Sequence, residues 1–225
     1  MGITVEFHND GCALIRMQNG QNRWNLTTLS QLNNALDEVE RNKSASILVT
    51  TGEGKFYSNG IDLDWLNSTG RSSDAGRQFF TVLLDTLWRV MHFPIPTVAA
   101  INGHCFGGGA FLALCHDYRV MRSDRGWISW NETLISVRIT DSLKEILERK
   151  LNIEALRESV IYAKRFTGPE ALNLKIVDGI EKESNLISES KSIGFRALGN
   201  NIIQRIDLQN MKKDMIPRTI GVSKL

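Results

Sequence analysis

The sequence predicts an α/β domain in which strands and helices alternate, and three observations predict it. Residues 46–51 (SILVTT) and 97–101 (TVAAI) are short, apolar, β-prone runs of the kind found inside a sheet. Between them, Asp74 to Met91 carries Phe79, Val82, Leu83, Leu87 and Val90 at helical spacing and is stopped by Pro94 and Pro96. After the second run the chain breaks at Asn102-Gly103, passes three consecutive glycines (Gly107, Gly108, Gly109), and continues as an apolar helix over 110–115 and a strand over 118–121. Strand, helix and strand repeated in this way describe a domain with right-handed crossovers.

The earlier part of the chain reads in the same terms. Residues 3–7 and 12–17 flank the turn His8-Asn9-Asp10-Gly11 and predict a β-hairpin. A polar stretch over 18–25 follows. From Thr27 the positions Leu29, Leu32, Leu36 and Val39 define an amphipathic helix, with Thr27 or Thr28 as its N-cap. In the loop 55–65 (KFYSNGIDLDW), Ser58-Asn59-Gly60 is turn chemistry, and Asp62 can cap a helix beginning at Leu63. That loop presents backbone N–H groups just past a strand end, the edge where open α/β folds bind ligands.

The triple glycine is the second candidate site. Glycines at a helix start remove the β-carbons where unpaired N–H groups point outward, so a ligand oxygen can approach the donors closely. Close packing of the helix against the sheet would place glycines there too. No Gly-Lys-Ser or GxGxxG pattern accompanies them. A third candidate lies beyond the polar turn at 122–126, where the run Trp127 to Trp130 delivers Asn131 and Glu132. Apolar neighbours would desolvate the Glu132 carboxyl and raise its pKa toward neutrality, which suits a general base. The rest is expected to be helical, over 143–151, 154–163, 169–174, 186–198 and 202–211, with a short apolar piece at Ile176-Val177. The last helices have little core of their own and should dock on the main domain or on a neighbouring subunit.

Composition narrows the classes. A chain of 225 residues can bury a full core. The formal net charge is +2 and the basic residues are scattered, so neither a nucleic acid nor a membrane surface is an expected partner. The three cysteines are odd in number and lack CxxC spacing, which predicts reduced thiols, no zinc site and an intracellular compartment. The N-terminus does not read as a signal peptide and no run is long enough to span a bilayer, so a soluble protein is expected. Ser223-Lys224-Leu225 at the C-terminus has the form of a peroxisomal address read by an import receptor.

Taken in order, several stretches resemble the crotonase family, the enoyl-CoA hydratase and isomerase superfamily. They are Trp24-Asn25, the loop Phe56 to Leu63, Ala99-Ala100-Ile101-Asn102-Gly103 leading to the triple glycine, His116-Asp117-Tyr118-Arg119, and Phe166-Thr167-Gly168-Pro169-Glu170-Ala171 ahead of Ile176-Val177-Asp178. The resemblance implies a spiral of repeated ββα units over residues 1–180, holding an acyl-CoA site, and a helical region over 181–222. It also implies a homotrimer or a hexamer of paired trimers. It assigns two enolate-stabilising N–H groups to Ile61 and Gly108 and places Ser58, Asn59, Gly60, Asp62, Phe111 and Asn131 around the substrate. No cofactor or metal is implied beyond the coenzyme A of the substrate, and Arg23 is the guess for a phosphate contact.

Within the family, hydratases resemble one another in carrying two glutamates. Here Phe111 stands at the first position, and Glu132, in an Asn-Glu-Thr setting like that of Δ3,Δ2-enoyl-CoA isomerases, at the second. One carboxylate suffices to move a proton from C2 to C4. The resemblance therefore implies conversion of 3-enoyl-CoA to 2-trans-enoyl-CoA, as the β-oxidation of unsaturated fatty acids in peroxisomes requires. A hydratase, a dienoyl-CoA isomerase and a non-catalytic acyl-CoA binder are the alternatives. Many relatives follow the glutamate with glycine and small residues, whereas Leu134 to Ile139 (LISVRI) is bulkier and is expected to reshape the acyl pocket. His104, His116, Cys105 and Cys115 read as packing residues.

Overall fold

The computed structural model describes residues 2–200 and 203–219, and in it the strands sort into two sheets by a repeated rule. The hairpin comes first. β1 (Ile3–Phe7) and β2 (Cys12–Met17) pair antiparallel, with Ile3 opposite Met17. α1 (Leu26–Arg41) leads to β3 (Ile47–Gly52), the short β4 (Phe56–Ser58), α2 (Leu63–Thr69) and α3 (Asp74–Met91). The cycle of two strands and then helix repeats with β5 (Thr97–Ile101), β6 (His104–Phe106) and α4 (Gly108–Cys115). It repeats again with β7 (Tyr118–Arg122), β8 (Ile128–Ser129), a 3-10 turn at Glu132–Ile135 and α5 (Asp141–Lys150). α6 (Ile153–Leu156) runs into a π-helical turn, followed by α7 (Gly168–Asn173), β9 (Gly179–Glu181), α8 (Glu183–Leu198) and α9 (Arg205–Met215).

The first strand of each cycle joins a six-stranded sheet of order β1-β2-β3-β5-β7-β9, parallel from β2 onward. The second joins a three-stranded parallel sheet, β4-β6-β8. This is the expected α/β spiral of ββα units with C-terminal helices. The long apolar runs of β2, β3 and β5 follow from burial on both faces of the large sheet. Ala13, Ile15, Leu48, Ala99, Ile101 and Met121 point to the core beneath α1, α3 and α4, while Leu14, Ile47, Val49, Val98, Ala100 and Val120 form a second layer with Leu186 of α8. Alternate residues thus serve alternate faces. α8 lies so close that a β-carbon on Gly194 would stand 3.0 Å from Ile47 Cδ1.

Local details depart from the sequence expectations. The N-cap of α1 is Asn25: its side chain accepts from Thr28 N at 3.0 Å, and Thr28 Oγ1 accepts from Asn25 N at 2.9 Å. Thr28 is therefore the far member of a capping box and not the cap. β4, β6 and β9 were unexpected because three-residue strands are too short for alternation to register. The expected boundary at residue 180 falls within β9, an edge strand of the large sheet. α8 docks on the main domain as expected. α9 has no buried residue and is tethered by polar contacts, with Lys212 Nζ 2.6 Å from Asp117 and donating to the carbonyls of Phe93 and Ile95. Residue 202 and Ser223-Lys224-Leu225 lie outside the described residues.

The candidate histidines pack as read. His116 is buried, its Nε2 2.9 Å from Thr50 Oγ1, which is itself 2.8 Å from the Tyr57 hydroxyl, and its Nδ1 2.8 Å from Leu112 O. A carbonyl can only accept, so Nδ1 carries the proton and the chain runs Tyr57 to Thr50 to His116 to Leu112. Burial lowers the His116 pKa to about 4, which keeps the ring neutral. His104 packs among the rings of Phe56, Phe106 and Trp127. Cys12, Cys105 and Cys115 are buried free thiols. Among the described residues no helix is long and apolar enough to cross a membrane.

Candidate active site

The small sheet sets up the site, because the segments after its three parallel strands converge beyond their C-terminal ends: Asn59 to Ile61 after β4, Gly107 and Gly108 after β6, and Asn131 and Glu132 after β8. Each glycine has its own task. Gly60, at φ 78°, packs so tightly that a β-carbon would meet Phe106 O at 2.8 Å and Gly108 N at 2.9 Å, which joins the first two loops. Gly107 turns the chain at φ 50°, its own N–H donating to Ser129 O at 3.0 Å. Gly109 is packed on β4, where a β-carbon would lie 2.5 Å from Ser58 O.

The N–H groups of Ile61 and Gly108 make no hydrogen bond among the described residues. Ile61 bridges Trp24 in parallel: Trp24 N donates to Gly60 O at 2.8 Å and Asp62 N to Trp24 O at 2.9 Å. That pattern turns the N–H of Ile61 away from Trp24. Gly108 is the first residue of α4, so its N–H has no acceptor within the helix. Both residues line a cleft of about 280 Å³ and also an adjoining cavity of about 610 Å³. The first is edged by Arg23, Asn59, Asp64 and Asn131, the second by Leu83, Leu87, Phe111, Ile139 and Leu143. A cleft with a polar edge therefore meets a more strongly apolar cavity at Ile61 and Gly108.

Glu132 lies at the same junction. A β-carbon on Gly107 would stand 3.4 Å from its Oε1, and its Oε2 is buried with no hydrogen-bond partner. Desolvation raises its pKa above the ordinary carboxylate value of 4.5, offset in part by its own backbone N–H. Glu132 is the one carboxylate among the described residues that lines both compartments; Asp64 lines only the polar cleft and is paired with Arg23 at 3.0 Å. Phe111 is buried on the apolar side, edge-on to Trp130.

Seven of the nine residues named from the sequence line these compartments: Asn59, Gly60, Ile61, Gly108, Phe111, Asn131 and Glu132. Ser58 and Asp62 do not. The Ser58 hydroxyl is fully buried, donating to Asn22 O at 2.7 Å and accepting from Gly60 N at 3.2 Å. Asp62 caps α2 by accepting from Trp65 N at 3.2 Å and is tied to Asn25 at 3.3 Å. Both shape the first loop from behind. Sequence reading missed Arg71, Phe80 and Val137, which line both compartments. Phe80 neighbours Phe79 in the helix pattern, and only the packing of α3 shows which ring faces the cavity.

Over 226 residues the chain is 29% identical to peroxisomal enoyl-CoA delta isomerase 2 of Arabidopsis thaliana, covering 97% of this chain and 94% of that protein. It is 32% identical over 196 residues to enoyl-CoA delta isomerase 3 of the same plant, covering 85% and 82%. The fold superposes on the crystal structure of a probable enoyl-CoA hydratase from Mycobacterium tuberculosis with TM-score 0.85 at 27% identity, covering 95% of this chain and 88% of that one. On human mitochondrial delta3-delta2-enoyl-CoA isomerase the TM-score is 0.85 at 25% identity, covering 96% and 83%. The enoyl-CoA hydratase/isomerase profile matches residues 8–219, and with the shared fold behind that match, this chain belongs to the enoyl-CoA hydratase/isomerase, or crotonase, family.

Proposed function

We propose that the protein is a Δ3,Δ2-enoyl-CoA isomerase that uses Glu132 as its single proton carrier. The observation that carries the reading is the buried, unpartnered Glu132 oxygen at the junction of the polar and apolar compartments, with Phe111 in place of a second carboxylate. The names of the similar plant and human isomerases point the same way.

In this mechanism the thioester carbonyl accepts hydrogen bonds from Ile61 and Gly108, and the acyl chain lies in the apolar cavity. The Glu132 carboxylate takes a proton from C2. The electron pair of the broken C2–H bond forms a C1=C2 bond while the carbonyl pair moves onto the thioester oxygen, giving a dienolate whose charge the two N–H groups stabilise more than they do the neutral substrate. Each such donor is worth about 3 kcal/mol in the transition state. The protonated Glu132 then returns the proton to C4: the C3=C4 pair becomes the new C4–H bond, the C1=C2 pair becomes C2=C3, and the thioester carbonyl re-forms. Adding water would call for a second group to handle the nucleophile, and Phe111 cannot exchange a proton. No cofactor takes part; coenzyme A enters with the substrate.

The test is direct turnover. Purified protein should convert 3-enoyl-CoA to 2-trans-enoyl-CoA much faster than it hydrates 2-trans-enoyl-CoA. Faster hydration, or thioester binding with neither reaction, would replace this reading with one of the alternatives. Peroxisomal import through Ser223-Lys224-Leu225 and assembly as a trimer or hexamer belong to the same proposal. The apolar side chains Ile153, Ile161 and Tyr162, exposed on the single chain, support an assembly. A monomer's mass by light scattering at micromolar concentration would contradict it.

A further inference from the structure

The apolar cavity is not apolar throughout. Arg138 and Thr140 line it but do not line the polar cleft; they follow Val137, which lines both compartments and donates its N–H to Glu132 O at 3.0 Å. Both are polar groups without protein partners. Thr140 is the N-cap of α5, yet its hydroxyl makes no capping bond, and Oγ1 is buried with no hydrogen bond at all. Arg138, solvent-exposed along one side, makes no hydrogen bond or ion pair among the described residues. Of the other cations along this wall, Arg77 is paired with Asp74, and Arg71 reaches the junction with the polar cleft. Glu132, which lines both compartments, is the one carboxylate lining the cavity among the described residues.

Leaving a buried hydroxyl unpaired costs free energy unless a ligand or water satisfies it, and a guanidinium presents its donors in the fork that a carboxylate fits. A methyl-ended acyl chain offers neither group an acceptor. We propose that this cavity takes acyl chains with a carboxylate at the end remote from the thioester, and that Arg138 and Thr140 are the residues that select them. The proposal rests on the reading that acyl-CoA occupies the two compartments. It specifies that substrate class as ω-carboxylated enoyl-CoA, the product of a reaction that oxidises the far methyl of a fatty acid. It also accounts for the departure at residues 134–139, where Arg138 is the single charged side chain.

The experiment compares the dissociation constants of a saturated acyl-CoA and its ω-carboxylated counterpart of equal length by titration calorimetry on the full chain, which needs no turnover. Charge-assisted hydrogen bonds are worth roughly ten- to hundredfold in affinity. The parent should bind the ω-carboxylated thioester at least as tightly as the methyl-ended one. Arg138→Leu should shift the ratio of the two constants against the carboxylate by about ten- to hundredfold, Arg138→Lys should shift it less, and Thr140→Val should move it in the same direction. A ratio unchanged in Arg138→Leu, or a parent that excludes the ω-carboxylated thioester, overturns the selection while leaving the isomerase reading intact. Binding of neither thioester overturns the acyl-CoA reading, and this inference with it. Melting curves of each variant separate misfolding from a lost contact, and because both thioesters meet the same variant, a general loss of affinity leaves the ratio unmoved.

Discussion

A β-carbon placed on Gly107 would stand 3.4 Å from Glu132 Oε1 and 3.5 Å from Asn131 Oδ1, so the glycine turn after β6 forms the floor beneath the carboxylate delivered by β8. The contact couples two parts of the site. The turn that frees the Gly108 N–H also sets how near Glu132 can come to it.

Gly107→Ala tests that coupling. At φ 50° and ψ −121° an alanine is strained whatever space it finds, which costs about 1–3 kcal/mol, or a fall in Tm of roughly 2–12 °C for a chain of this size. Relief of the strain would displace the Gly108 donor and the Glu132 carboxyl together, so turnover should fall by about 10² or more. Thermal unfolding and kcat on the same sample check both, and an alanine variant with parental kcat would show that the turn does not position the donor.

Glu132 should cost the protein stability at neutral pH. Its folded-state pKa is raised by burial above the ordinary 4.5, so ionisation disfavours the folded state. Below that value the carboxyl is protonated in both states and carries no penalty; as pH rises through the raised pKa the penalty appears. Glu132→Gln should therefore have the higher Tm at pH 7 to 8, with the difference shrinking below about pH 4. Unfolding curves at the two pH values give the sign, and a variant less stable at neutral pH and equal in acid would contradict it.

Phe111→Glu probes the choice of reaction. The residue is buried on the apolar side, so a carboxyl placed there would have a raised pKa and could serve as a second acid or base. The ratio of hydration to isomerisation should rise in the variant. An unchanged ratio in a folded, substrate-binding variant would detach Phe111 from reaction choice.

Much of this was legible in the chain. The long strands, α3, the Asp62 cap and Glu132 could be read because each carries its own signal: an unbroken apolar run, a 3.6-residue period, a side-chain oxygen before a helix, a carboxyl between apolar neighbours. β4 and β6 carry none. Phe56–Ser58 and His104–Phe106 are strands only because each finds the other, with a shift in register between Phe56 and Ser58. The sequence could not show that Ser58 faces inward, since its partner Asn22 is distant in the chain and only the packing of the loops brings them together. Arg71 and Phe80 went unread for a like reason: nothing local separates a cavity-facing side chain from an exposed one when both lie on one helix or turn.

The import proposal concerns residues beyond Thr219, the last described. A C-terminal tag that hides the Leu225 carboxylate should leave the protein in the cytosol while activity in vitro survives. Localisation of tagged and untagged protein, each with a fluorescent label at the N-terminus, checks it; peroxisomal uptake of the tagged form would refute it.

The central claim is that one carboxylate carries the proton from C2 to C4. Glu132→Gln keeps the shape of the side chain and removes its basicity, so the measurement is kcat for 3-enoyl-CoA isomerisation alongside the dissociation constant of a saturated acyl-CoA. The account predicts that kcat falls by at least about 10²- to 10⁴-fold while binding stays within a few-fold of the parent. Isomerisation at near-parental rate by a Glu132→Gln variant that binds the thioester would contradict it.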